Sequence, residues 1–133
     1  MYRLFPALIL ALVVAQPARA DQWDALRNDP TISEGLIDFA IARHIHNRCD
    51  SISARRMRAM GFINSLIAEA TELGYSRDEI EDYVFNEAEQ DRVRGLADER
   101  LAARGASPTQ MAGYCVVGEE EINANSQIGR LLR

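Results

Sequence analysis

Apolar residues recur with a helical period along most of this chain. Beginning at Thr31-Ile32-Ser33-Glu34, the sequence places Ile37, Ile41, Ile45 and Cys49 at strict four-residue intervals, with Leu36 and Ala40 beside them. That spacing paints one face of an α-helix, and the period-two alternation of a half-buried strand is missing. Thr31 and Glu34 have the spacing of a capping box, so the helix is expected to open at Thr31 and to carry Cys49 inward at its end. A second helix is expected from Ser51 or Ser53 to Leu73, with Met57, Met60, Ile63, Leu66, Ile67, Ala70 and Leu73 as its buried stripe. Gly74 stands behind it, where a left-handed residue ends a helix. Gly61, in its middle, costs about 1 kcal/mol against alanine and points to close helix packing.

Ser76-Arg77-Asp78-Glu79 is another capping box, opening a long third helix towards Arg104 with Gly105 behind it. Its stripes, Ile80-Val84-Ala88 and Val93-Leu96-Ala97-Leu101, are out of phase, which predicts a bend or break between Gln90 and Gly95. Glu89–Arg92, Asp91–Arg94 and Arg94–Asp98 are spaced to pair along its surface. Ser107-Pro108-Thr109-Gln110 has the form of a short fourth helix ending at Gly113-Tyr114-Cys115. A last helical stretch follows Gly118, with Ile122, Ile128, Leu131 and Leu132 as its contacts. Ahead of all these, Asp21–Pro30 is polar apart from Trp23 and has room for one helical turn. Short connections and the absence of a linker or repeat predict an all-α fold, a compact bundle or orthogonal array of four to five helices.

The first twenty residues stand apart. Arg3 precedes an almost unbroken apolar run from Leu4 to Ala15, and Ala18-Arg19-Ala20 supplies the small-x-small pattern read by signal peptidase. Twelve apolar residues span roughly 18 Å of helix, short of a hydrocarbon core of about 30 Å, so a membrane anchor fits poorly. Cleavage is expected between Ala20 and Asp21, leaving residues 21–133 as one exported domain, periplasmic or secreted, without a membrane span. Both cysteines, Cys49 and Cys115, lie in the mature part, and in an oxidising compartment two cysteines most simply form one disulfide. Two free thiols, or a two-cysteine metal site, are the alternatives to that bridge.

Composition narrows the chemistry. All fifteen basic residues are arginine, which removes a P-loop lysine, a Schiff-base lysine or a lysine base. A net charge of −5 argues against a general nucleic-acid binder. His44 and His46, two apart on a helix, point in nearly opposite directions and cannot share a metal, so one half-buried and one surface histidine are expected. His46 to Asp50 has no His-Asp dipeptide or glycine-rich calcium loop of the phospholipase kind. No nucleophile elbow or dinucleotide-binding loop occurs. No catalytic residue, metal site or cofactor is expected.

Charge is segregated. Residues 43–58 carry a net +4 and residues 69–91 a net −8. Arg55, Arg56 and Arg58 sit at the positive end of the second helix, an unfavourable place for cations. One explanation is structural: the acidic third helix packs alongside and pairs with them. The other is functional, an anion or partner site.

Cys49-Asp50-Ser51-Ile52 with Arg55, Leu73-Gly74-Tyr75-Ser76 ahead of Glu79-Ile80, Tyr114-Cys115-x-x-Gly118 with Glu121-Ile122, and Ser126-Gln127-Ile128-Gly129-Arg130-Leu131-Leu132 together resemble a family of short exported helical proteins of unknown function from alphaproteobacteria. The likeness spans nearly the whole mature chain and implies a fold but no activity. In outline the chain is also similar to acid-stress chaperones, although it lacks their lysine-rich termini, and to immunity proteins that neutralise cell-wall-degrading toxins. The expectation is a non-enzymatic protein that binds a protein partner or envelope component. A small hydrolase acting on cell wall or lipid is the alternative, and a pocket holding two or more ionisable groups of perturbed pKa would favour it.

Overall fold

The computed structural model describes residues 21–133, all of whose regular elements are helices. In order they are α1 (Asp24–Asn28), α2 (Pro30–Arg48), α3 (Arg56–Glu72), α4 (Arg77–Phe85), α5 (Glu87–Ala103), α6 (Ala112–Asn123) and α7 (Gln127–Arg130). The expected export signal, including Ala20, lies outside the described residues. The all-α array of five major helices agrees with the sequence pattern, and the Cys49–Cys115 disulfide closes it.

α2 is the central element, packed against α1, α3, α5, α6 and α7. Its Ile37, Ile41, Ile45 and Cys49 are buried as their spacing requires. They meet Ala97 and Leu101 of α5, Tyr114 and Val117 of α6, and Ile128, Leu131 and Leu132 at the C-terminus. A smaller cluster of Leu26, Ile32, Ala70, Ile80 and Tyr83 holds α1 and α4 at the other end. The disulfide joins the residue that caps α2 to the first half of α6, with the Cα atoms 5.2 Å apart.

Several boundaries differ from the sequence expectation, each for a local reason. α2 opens at Pro30 rather than Thr31: Asp29 accepts the Ile32 amide at 2.9 Å, and proline is best placed in a helix's first turn. Glu34 is thereby released to take Arg100 of α5 in a two-toothed pair at 2.7 and 2.9 Å. α3 begins at Arg56, because residues 53–55 are extended and pair with the C-terminus. Ser53 and Arg133 exchange backbone hydrogen bonds of 2.7 and 2.9 Å, and the Arg55 amide donates to the Leu131 carbonyl. The break in the long third helix falls at Asn86, earlier than the window from Gln90 to Gly95. The Asn86 side chain accepts the Glu89 amide and starts α5 anew, so Tyr83 is buried where Val84 was expected. The expected capping box at Ser76 forms in full.

The fourth helix is corrected most. Residues 107–110 make a turn, and α6 runs unbroken through Gly113, Tyr114, Cys115 and Gly118. Its glycines mark close packing, not ends. A Cβ on Gly118 would come 2.5 Å from Ile52 Cδ1 and 2.7 Å from Ile45 Cγ2, and one on Gly113 would overlap the Gly105 carbonyl.

α3 is also rotated from its expected seat. Leu66 and Ala70 are buried and Ala59, Phe62 and Ile63 half-buried, but Met57 is 78% exposed and Met60 60%, with Ile67 and Leu73 also open to solvent. Seven apolar residues are too many for a helix that packs mainly on one neighbour, and the set splits into an inner and an outer face.

Candidate functional site

Two places concentrate charge or ionisable groups. The first is a cleft of about 160 Å³ between α2, α4 and α5, lined by Phe39, Arg43, His44, Tyr83, Glu89 and Arg94 among others. Three of these groups have displaced pKa values. Burial pushes the Glu89 carboxyl up, but Arg27 and Arg92 outweigh it and hold the group below the ordinary carboxylate range. Burial raises the Tyr83 hydroxyl despite the opposing Arg92. Burial lowers the His44 imidazole against the pull of Asp98, whose Oδ1 lies 2.9 Å from Nδ1 without hydrogen-bond alignment.

This cleft meets the sequence criterion for an enzyme in number of perturbed groups, but its carboxylate is already committed. Glu89 is buried, with Oε1 accepting from Arg27 (Nε at 2.8 Å) and Oε2 from Arg92 (Nε at 3.0 Å), while Arg92 also donates to the Tyr83 hydroxyl at 3.2 Å. Trp23 packs edge-on against Tyr83, with ring centroids 5.6 Å apart, and Arg27 lies over its indole. The knot fastens α1 to the α4–α5 elbow. Of the three expected pairs, Glu89–Arg92 and Asp91–Arg94 form, but Arg94–Asp98 does not, since Asp98 turns to His44. His44 is the more buried of the two histidines, and exposed His46 has Nδ1 3.2 Å from the Ile52 carbonyl oxygen.

His44 makes stability depend on pH with a definite sign. Its folded pKa lies below the ordinary value of about 6.5, so below that pH the unfolded chain binds a proton that the folded chain refuses. The contribution is complete above about pH 6.5 and is lost as the pH falls towards the folded value. Denaturation midpoints should therefore decline as the pH falls through and below about 6.5, and His44→Gln should flatten that decline. A midpoint that rises on acidification through this window would contradict the assignment.

The second place is a concavity of about 520 Å³ at the start of α3, lined by Ala54, Arg55, Arg56, Met57, Arg58 and Arg133. The expectation that Arg55, Arg56 and Arg58 pair with the acidic third helix is wrong. None of them makes an ion pair with a carboxylate among the described residues. α4 has nine residues against seventeen in α3, so running back from the Leu73–Ser76 turn it stops well short of the arginines. The Arg55 Nε is buried with no acceptor, no side chain caps α3, and its first turn holds no acid. Arg133 joins the group through the backbone pairing of its strand-like tail with Ser53, a contact across 80 residues that sequence spacing does not signal.

Among the described residues no set of three or more His, Cys, Asp or Glu side chains is placed to hold a metal, and no helix is long and apolar enough to cross a membrane. A disulfide-closed all-helical domain with an unpaired arginine concavity is the class these features define. The chain belongs to the family of unknown function DUF5333, whose family model matches residues 24–133. No curated protein and no solved structure matches it.

Proposed function

We propose that this is an exported, periplasmic or secreted, non-enzymatic protein that binds an anionic envelope component or the acidic face of a protein partner at Arg55, Arg56, Arg58 and Arg133. The observation that carries this reading is the absence of ion pairs to these arginines among the described residues, in a chain whose net charge is −5. Arginines without an ion-paired carboxylate beside an uncapped helix start repel one another and oppose the dipole, a cost that an anionic ligand removes. A guanidinium also takes carboxylate or phosphate in a two-toothed geometry. The export signal pattern and the disulfide support an envelope location.

Affinity capture from the periplasm of the native host tests the reading. The wild-type protein should retain a component that moderate salt elutes, and the Arg55→Gln/Arg56→Gln/Arg133→Gln variant should not. Identical retention by both proteins would overturn it.

A second reading, a small hydrolase acting on cell wall or lipid, has His44 in its favour, neutral at pH 7 and beside Asp98 in a cleft with Arg43 and Arg94. It ranks second because no Ser, Thr or Cys lines that cleft and Glu89 is held by two arginines. The acid-stress chaperone and immunity-protein likenesses rest on outline alone.

A further inference from the structure

The outer face of α3 has no partner within the chain. Met57, Met60, Asn64, Ile67 and Thr71 follow one another at spacings of three, four, three and four, the seam of a two-helix coiled coil, and all are exposed. Gly61 and Ala68 flank the seam on one side, and a Cβ on Gly61 would meet nothing within 4 Å. Nothing inside the monomer requires a glycine there. The apolar surface continues past Ile67 across a groove to Val84 and Phe85 of α4, the latter 74% exposed. Five of the eight large exposed apolar side chains thus lie on α3 and α4, a concentration that marks an interaction surface rather than scattered solvent exposure.

The charges on this face say what covers it. Arg58 and Glu72 stand fourteen residues apart, four turns, on the flank that carries Gly61 and Ala68. We propose that α3 is the interface of a homodimer, packed antiparallel on α3 of a second copy about a two-fold axis at Asn64. In that arrangement Met57 faces Thr71, Met60 faces Ala68 and Gly61 faces Ile67 of the partner subunit. Seam and flank together close on their own sequence, as a two-fold interface must. Small residues at 61 and 68 let the helices approach, so Arg58 reaches Glu72 of the partner subunit, and the reverse, giving two equivalent pairs. A parallel pairing would instead set Arg58 beside Arg58 and Glu72 beside Glu72, which like-charge repulsion disfavours. Asn64 meets its own copy at the axis, the place where a polar seam residue selects register. Met57 and Arg58 border both surfaces, whereas Arg55, Arg56 and Arg133 stay outside the seam, so capture through those three arginines and dimerisation are read by separate variants.

Sedimentation equilibrium on protein purified from cells expressing all 133 residues tests this, with the chain mass taken from mass spectrometry. A single helix pair with a flanking apolar patch is a small interface, so a dimer dissociating in the micromolar range is expected. Met60→Glu should give a monomer whose circular dichroism and melting temperature match the dissociated wild type. Arg58→Glu and Glu72→Arg should each weaken the dimer about tenfold or more, since every substitution counts twice across a two-fold axis. The two combined should restore it to within about threefold of wild type, because the charges are exchanged and not lost. A wild-type protein that stays monomeric at about 100 μM would overturn the proposal. So would a dimer insensitive to Met60→Glu, or a double reversal no tighter than either single change.

Discussion

Replacing Cys49 and Cys115 together by alanine is expected to remove roughly 4 kcal/mol of stability, the chain-entropy value for a loop this long. Against the 5–15 kcal/mol typical of a domain, that is a large share of the total. The bridge spans 66 positions and ties the end of α2 to α6, so it encloses α3, α4 and α5 in one loop. Burial adds to it, since Cys49 is 2% exposed among Ile45, Ile52 and Val117. Urea titration of oxidised and reduced protein measures the difference. A reduced protein within about 1 kcal/mol of the oxidised form would show that the helices hold this topology without the bridge.

Glu89→Ala is expected to cost about 2–4 kcal/mol, somewhat less than the roughly 3–5 kcal/mol for breaking a fully buried ion pair, because the Arg27 and Arg92 side chains keep some contact with water. The loss has two sources. Arg27 and Arg92 lose their shared acceptor, and Tyr83 loses the arrangement that orients its hydroxyl. α1 also loses its hold on the α4–α5 elbow, so Trp23 should move towards water. Equilibrium denaturation gives the stability change, and a red shift of Trp23 emission in the native state gives the local one. Unchanged emission with unchanged stability would mean that the indole packing alone holds α1.

The parts of the fold that the sequence displays are those where one residue's chemistry decides the outcome. Four-residue spacing from Ile37 to Cys49 can bury only one face of a helix, and it does. Ser76 with Glu79 caps α4, and Gly74 and Gly105 take positive φ behind their helices. Errors arise where two local signals compete. Thr31 and Asp29 both offer caps, and the proline between them decides for Asp29. Gly113 and Gly118 have the look of helix ends, whereas they are small because the 105 carbonyl, Ile45 and Ile52 press against α6. Only the tertiary neighbours distinguish these two uses of glycine.

The candidate site is half visible for a similar reason. Arg55, Arg56 and Arg58 stand out in sequence by sign and position, but Arg133 joins them only through pairing of the chain's end with residues 53–55. Whether those arginines find counter-charge depends on where α4 stops, and that follows from the break at Asn86. Glu89 has the spacing of a solvated surface pair because Arg92 is one turn away, yet its second partner, Arg27, comes from 62 residues earlier in the chain and closes over it. The apolar content of α3 is equally legible, but the division between its inner and outer faces requires knowing that α2 is its main neighbour.

The central claim is that the arginines at the start of α3 are held for a ligand and not for the fold. Thermal unfolding of Arg55→Gln/Arg56→Gln beside wild type, at low and at high salt, tests it most directly. If the cluster is a site without intramolecular counter-charge, removing two like charges from an unfavourable helix end leaves the variant as stable as wild type or more so at low salt. That gain of about 0–1 kcal/mol should fade as salt screens the repulsion. A variant less stable than wild type at low salt, with the deficit shrinking at high salt, would mean that the arginines are paired within the folded chain and would contradict the account.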